Sequence, residues 1–142
     1  MKYDIKWGQN DDIYRDAAAL RTEVFVDEQK FEEEFDQTDA VALHMVVYDE
    51  DGSPIATGRL FEEDGGTWHV GRICALKRLR GTGLGRVVVE ELEKKAVSLG
   101  ASRIILGAQT RVQGFYETLG YRVYGDEYYE EYCPHVPMEK LL

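Results

Sequence analysis

The sequence predicts an α+β domain: a mixed, mostly antiparallel sheet with a central β-α-β crossover and flanking helices. Two observations carry this. Strand-like runs at 44–48, 55–61 and 68–76 are separated only by the turn clusters Glu50-Asp51-Gly52-Ser53-Pro54 and Glu63-Asp64-Gly65-Gly66, so they form an antiparallel meander. A single strand, loop, helix and strand unit then runs from Trp68 to Ala108, which is a right-handed crossover between parallel strands. Only one such unit occurs, which excludes a doubly wound sheet.

The elements follow in order. Tyr3-Asp4-Ile5-Lys6-Trp7 alternates and reads as a first strand. Gly8-Gln9-Asn10 breaks it, and Asn10 is placed to cap a helix that carries Asp11 and Asp12 in its first turn. Ile13, Ala17, Leu20 and Val24 mark the apolar face of that helix to about Phe25. A second short helix is expected over part of Glu28 to Phe35. After the meander, Leu84, Val88, Leu92 and Ala96 recur every four residues, with Val87 and Leu99 beside them, and Gly100 is the expected stop. Glu90 and Lys94, and Glu91 and Lys95, are spaced to pair on the outer face. Arg103 to Ala108 is an apolar strand, Val112 to Leu119 a helix ended by Gly120, and Tyr121 to Tyr124 a strand. Val136 to Leu141 closes the sheet after a linker around Pro134 and Pro137.

The chemistry concentrates where the third meander strand meets the long helix. There the chain reads Ile73-Cys74-Ala75-Leu76, then a basic loop with Lys77, Arg78 and Arg80, then Gly81, Gly83 and Gly85. A helix start offers N–H groups without intrahelical partners and the positive end of the dipole. Glycines remove the Cβ atoms that would hold a phosphate off, and arginines add bidentate donors. The loop is therefore expected to bind a phosphorylated ligand. The dinucleotide spacing G-x-G-x-x-G fails in both registers, since Arg86 and Val88 occupy the third position. No Gly-Lys-Ser/Thr closes the loop, so the Walker pattern fails too.

Composition sets further bounds. At 142 residues the whole chain, 1–142, reads as one domain with its own core. No apolar run reaches membrane-spanning length, and MKYDIKWGQNDD lacks the apolar centre of a signal peptide, so a cytoplasmic location is expected. Cys74 and Cys133 fit no metal spacing, and no metal is expected. A net charge of −10 argues against nucleic acid. Asp27 to Asp39 holds seven carboxylates against Lys30 alone. It reads first as a solvated face and second as a rim that attracts a cationic amine.

The spacing Arg80-x-x-Gly83-x-Gly85 resembles the coenzyme A signature of the GNAT superfamily of N-acetyltransferases. The meander with one crossover is similar to that fold. Gln109, Val112, Phe115-Tyr116 and Gly120-Tyr121 stand where the superfamily often carries Asn, Ala, a Leu/Phe-Tyr pair and a Gly-aromatic pair; the first two are departures. Arg21-x-x-Val24-Phe25-Val26-x-Glu28-Gln29, Asp36 and Asp39 before His44, Gly71-Arg72-Ile73-Cys74 and Pro134-His135 resemble the small ElaA-like acetyltransferases. The first of these is also similar to the autoinducer synthases.

The resemblance implies acetyl-CoA as co-substrate and an amine that attacks the thioester directly. It places the oxyanion donor and the pantetheine-pairing backbone at Ile73, Cys74 and Ala75, and an amide contact to pantetheine at Gln109. It places the phosphate contacts at Arg80, Gly81, Thr82, Gly83, Leu84, Gly85 and Arg86, and the acid that protonates the departing thiolate at Tyr116. A base must also take the ammonium proton, and Glu28, His44 and His135 are the candidates. His135, between Pro134 and Val136, ranks first. The acceptor is expected to be a small-molecule or peptidic amine, with a homodimer left open. Transfer from another acyl-CoA or an acyl carrier protein, and a silent coenzyme A-binding module, are the alternatives.

Overall fold

The computed structural model describes residues 2–142. The sheet has eight strands: β1 (Asp4–Gly8), β2 (Leu43–Tyr48), β3 (Pro54–Asp64), β4 (Thr67–Ala75), β5 (Arg103–Gln109), β6 (Arg122–Val123), β7 (Tyr128–Glu130) and β8 (Cys133–Leu141). Their order is β1-β2-β3-β4-β5-β8-β6, and β7 also pairs with β8. Every pairing is antiparallel except β4 with β5, where the crossover helix α2 (Leu84–Ser98) intervenes. The expected mixed α+β architecture is the one observed.

Strand alternation sends β2 side chains to two cores. Met45 and Val47 join the core under α2, with Leu84, Val88, Val89, Leu92 and Ala96. Val46 and Tyr48 join Ala17, Leu20, Val24 and Phe25 on the opposite face, under α1 (Asp12–Arg21). The predicted α2 stripe is thus the buried one, extended by Val89, whereas Leu99 is exposed. The outer face pairs differently from expectation. Arg86 reaches Glu90 and Lys94 reaches Glu91, while Lys95 lies over the Trp7 ring.

Several elements differ from the sequence reading. Asp11, not Asn10, caps α1: its carboxylate accepts the Tyr14 N–H at 3.1 Å, and Asn10 takes a left-handed turn at φ +52°. The α-helix ends at Arg21 and continues as wider π-helical turns over Thr22–Glu28. The Thr22 hydroxyl bonds back to the Ala18 carbonyl there, and β-branched Val24 and Val26 follow. No second helix forms over 29–35. That segment is fixed by Phe31 in the core and by ion pairs of Glu34 and Asp36, not by a periodic apolar face.

β7 was not expected, and β8 begins at Cys133, so Pro134 and Pro137 sit inside a strand instead of a linker. The Pro137 carbonyl accepts from Tyr124 N–H. A residue's N–H and C=O point to the same strand edge, so the missing donor falls between β6 and β7. The ladder to β5 keeps its donors. The last helix, α3 (Gln113–Thr118), follows a single 3₁₀ turn over Thr110–Val112.

Two irregularities shape the centre of the sheet. The parallel β4–β5 ladder covers only Thr67–His69 against Arg103–Ile105, after which the strands part. Beyond that point β4 carries a bulge. Arg59 pairs with Gly71 and Thr57 with Cys74, so Gly58 alone faces both Arg72 and Ile73. A Cβ on Gly58 would lie 2.7 Å from Leu92 Cδ1 and 3.3 Å from Val88 Cγ1. Gly58→Ala should therefore push α2 off the sheet and destabilise by about 1–3 kcal/mol in urea unfolding. An unchanged midpoint would show that α2 shifts freely.

Candidate functional site

The parting of β4 and β5 opens a cavity of about 990 Å³. Ile73, Cys74 and Ala75 form one wall, with Gln109, Tyr116 and His135 also in the lining. Arg80, Gly81, Gly83, Gly85 and Arg86 border it. Two members of the expected set do not. The Leu84 side chain is in the core, and the Thr82 hydroxyl donates to Leu79 O at 2.6 Å. Their contribution is confined to backbone.

The glycine loop leads into α2 through a left-handed turn. Gly83 stands at φ +87° and precedes α2 without any side-chain cap, so the first-turn N–H groups stay available to an anion. Gly85 faces Phe115, whose Cζ would be 3.4 Å from an added Cβ. The arginines of the loop already carry partners. Both terminal nitrogens of Arg80 hold Glu28, one at 2.8 Å, and Arg86 Nε holds Glu90 at 2.9 Å. The Arg80 guanidinium keeps the Glu28 carboxyl below its ordinary pKa. Gln109 is also engaged: its Nε2 donates to Gln29 Oε1 at 2.9 Å and its Oε1 accepts from Arg111. A phosphate or pantetheine contact from these side chains would draw on groups already bonded, through the donors still open: Arg86 Nη1 and Nη2, Arg80 Nε and the second Gln109 amide hydrogen. The backbone of the loop is free of that competition.

The proton-handling candidates separate clearly. Tyr116 packs edge-on against Phe115 and Tyr121 and lines the cavity. Its hydroxyl has no hydrogen-bond partner in the protein, yet Arg59 Nε is the only fully buried side-chain polar atom so placed among the described residues. The Tyr116 hydroxyl therefore keeps access to solvent. Burial pushes its pKa up to about 12, so it stays protonated. His135 is 5% exposed, stacks on Tyr128, and pairs with Gln109 across β5 and β8. Its Nδ1 lies 2.9 Å from the Cys133 carbonyl, which only accepts, so Nδ1 carries the hydrogen. In the neutral ring the Nε2 lone pair is left free, 3.7 Å from Glu130.

His44 is buried away from the cavity, with Nε2 donating to Asp39 O at 3.0 Å, and Glu28 is bound to Arg80. Cys74 is inert: burial pushes its thiol pKa up strongly. No group of three or more His, Cys, Asp and Glu side chains gathers as a metal site among the described residues.

The acidic run divides: Asp27, Glu28, Glu32, Glu33 and Asp36 are exposed, as the solvated-face reading expects, and the rest turns inward. Glu34 and Asp39 are buried, and Glu34, Asp36 and Asp39 are each paired with arginine. Sequence reading missed Arg59, Arg72, Tyr128 and Glu130 in the cavity wall. The only advance signal was Arg72 in the Gly-Arg-Ile-Cys run.

A family model described as an acetyltransferase (GNAT) domain matches residues 10–142. The chain belongs to the GNAT acetyltransferases. It is similar to the uncharacterised N-acetyltransferase YjcF of Bacillus subtilis, 41% identical over 93% of this chain and 95% of that one. It is also similar to a crystal structure assigned as an N-acetyltransferase from Lactobacillus plantarum, at 32% identity and TM-score 0.92, covering 100% and 99% of the two chains. The structure of Escherichia coli ElaA shares the fold, at TM-score 0.87 and 22% identity over 98% and 99%.

GNAT membership means acyl transfer from a coenzyme A donor. No helix among the described residues is long and apolar enough to cross a membrane. Acetyl-CoA should raise the melting temperature by mass action, and ATP and NADH should not. Gly83→Asp should abolish the shift, since it places a side chain at φ +87° and a like charge where the anion sits. An equal shift with ATP would sink the assignment.

Proposed function

We propose that this chain, as one catalytic domain in the cytoplasm, transfers the acetyl group of acetyl-CoA to the amine of a small molecule or peptide. The observation that carries the reading is the pairing of opposite proton roles in one cavity. Tyr116 is a phenol held protonated, and His135 is an imidazole whose hydrogen is committed to backbone on Nδ1. The co-substrate supplies an activated thioester carbonyl. Amides of Gly81 to Arg86, with Thr82 and Leu84 contributing backbone only, hold the pyrophosphate at the α2 start. Backbone N–H groups of Ile73 to Ala75, beside the bulge, stabilise the oxyanion as the amine nitrogen attacks the carbonyl carbon. His135 Nε2 takes the ammonium proton. The C–S bond then breaks, and the Tyr116 hydroxyl protonates the departing thiolate.

The paired arginines weaken the case for steering by the acidic run. A cationic acceptor is favoured by the exposed carboxylates without an arginine partner, Glu33, Glu130 and Glu131, which line the cavity.

Thiol release from acetyl-CoA, measured across amines and polyamines, tests the reading. Longer acyl-CoA donors preferred over acetyl-CoA would move it to another acyl group. No turnover with any amine would leave a silent module. Tyr116→Phe should lower kcat by roughly 10²-fold or more with coenzyme A affinity intact. Near wild-type turnover would reject the acid role.

The pH profile has a definite sign. Tyr116 works as the protonated form, which exists below its pKa. Burial moves that pKa up to about 12, so no basic limb from Tyr116 should appear below about pH 10. His135→Gln should lower kcat/KM while coenzyme A affinity is kept. Near wild-type kcat/KM would assign the base elsewhere.

A further inference from the structure

Three arginines and three carboxylates close into a ring beside the cavity. Arg72 Nε meets the Glu34 carboxylate at 3.0 Å. Glu34 accepts from Arg21 Nε at 2.9 Å, and Arg21 holds Asp39 through two nitrogens at 2.8 and 3.1 Å. Asp39 accepts from Arg59 Nη1 at 3.0 Å, and Arg59 holds Asp36 at 2.7 and 3.1 Å. Asp36 then accepts from Arg72 Nη2 at 3.3 Å, which closes the circuit. Arg21, Glu34, Asp39 and Arg59 are buried.

The ring spans the bulge. Arg59 lies next to Gly58, the residue facing the bulge, and Arg72 is the bulged residue itself. Arg72 stands at φ +50°, where a side chain with a Cβ is disfavoured. Something must hold it there. Its guanidinium is fixed by Glu34, through both carboxylate and backbone carbonyl (3.1 Å), and by Asp36. The residues that follow, Ile73 to Ala75, form the cavity wall.

We propose that this ring is a positioning device for acyl transfer. It pins Arg72 in its left-handed conformation and so fixes the direction of the Ile73 to Ala75 backbone, with Glu34 and Asp36 as positioning residues. The proposal deepens the acetyl-transfer reading and rests on it for its kinetic consequence. The coupling of ring to bulge stands on geometry alone.

The test uses the full chain and compares Arg72→Ala, Arg72→Gly and Glu34→Gln. Both Arg72 variants lose the anchor, but glycine adopts φ +50° freely and alanine does not. Arg72→Ala should lower kcat by about 10-fold or more with KM for acetyl-CoA little changed, and Arg72→Gly should recover most of that loss. Glu34→Gln should lower kcat in the wild-type background and have little further effect in Arg72→Gly. If Glu34→Gln does not fold, half-exposed Asp36→Asn replaces it.

Amide hydrogen exchange in the ligand-free protein supplies the readout independent of activity. Protection at residues 72–75 should fall in Glu34→Gln while that of α2 is kept. Equal rates in Arg72→Gly and Arg72→Ala, or undiminished Glu34→Gln effects in Arg72→Gly, would overturn the proposal. So would unchanged exchange at 72–75. A wild-type protein that turns over no amine would overturn the acetyl-transfer reading instead, and exchange would still decide whether the ring holds the bulge.

Discussion

Burying charge dictates how the first third of this chain meets its sheet. Arg21 at 1% exposure has no solvent to offset desolvation, and burial alone would lower its pKa. Bonds to Asp39 and Glu34 outweigh that penalty and hold it charged. Asp39 responds likewise: burial raises its pKa, and Arg21 and Arg59 bring it below the ordinary value. Glu34 is the member for which desolvation wins, so its pKa is raised despite three nearby arginines. A buried ion pair stabilises little compared with apolar packing, but removing one partner is costly. The ring therefore acts mainly as a constraint on geometry. α1, the loop 34–39, β3 and β4 keep one relative arrangement because any other leaves a charge stranded.

The cavity follows from that constraint and from the sheet. An unbroken parallel ladder would keep β4 and β5 about 4.8 Å apart along their whole length. Here it lasts three residue pairs, and the bulge turns the rest of β4 away. The backbone beyond is released from its β5 partner and lines open space. Gly58 permits this from the other side, because α2 lies too close for any side chain there. The glycine loop then sets the α2 N-terminus at the end of the same opening. A released strand edge and an uncapped helix start thus come from two local irregularities, the features that the proposed function assigns to the carrier arm and its phosphates.

What was legible in the sequence is what depends on near neighbours. The α2 face, the meander and the glycine loop each rest on residues within a few positions of one another, and periodicity reports them directly. Val89 escaped because the core under α2 is wider than one stripe and takes it in with Tyr116 and Leu119. The ring was not legible. Its bonds join residues 13 to 38 positions apart, and a carboxylate paired across the fold looks the same in sequence as one in water. The strand character of 133–135 was hidden by Pro134, because sequence cannot say which strand edge lacks a partner. The site followed the same division. Gly81 and Gly83 line the cavity as their local context indicates, and so do Tyr116, which only the family resemblance singled out, and His135. Arg80 and Gln109 line it too, but the partners that occupy them come from far along the chain.

Those partners are adjacent residues. Glu28 closes the π-helical turns and Gln29 follows them, and the two reach opposite sides of the opening. Glu28 takes Arg80, just past the end of β4, and Gln29 takes Gln109, the last residue of β5. A regular α-helix advances 100° per residue, whereas a π turn widens the spiral and changes which neighbours share a face. The irregular turns thus let one short segment brace both strands where their own ladder has ended. The Tyr132 hydroxyl also donates to the Gln29 carbonyl, and Glu131 accepts the N–H groups of Glu32 and Glu33. The β7–β8 hairpin is thereby tied to the same segment. Both side chains best placed to touch a carrier are therefore part of the frame that keeps the opening its width. Contact with a carrier through Arg80 or Gln109 would have to use the donors that bracing leaves open, Arg80 Nε and the second Gln109 amide hydrogen. The glycine loop backbone carries no such bracing duty, because the α2 start has no side-chain cap.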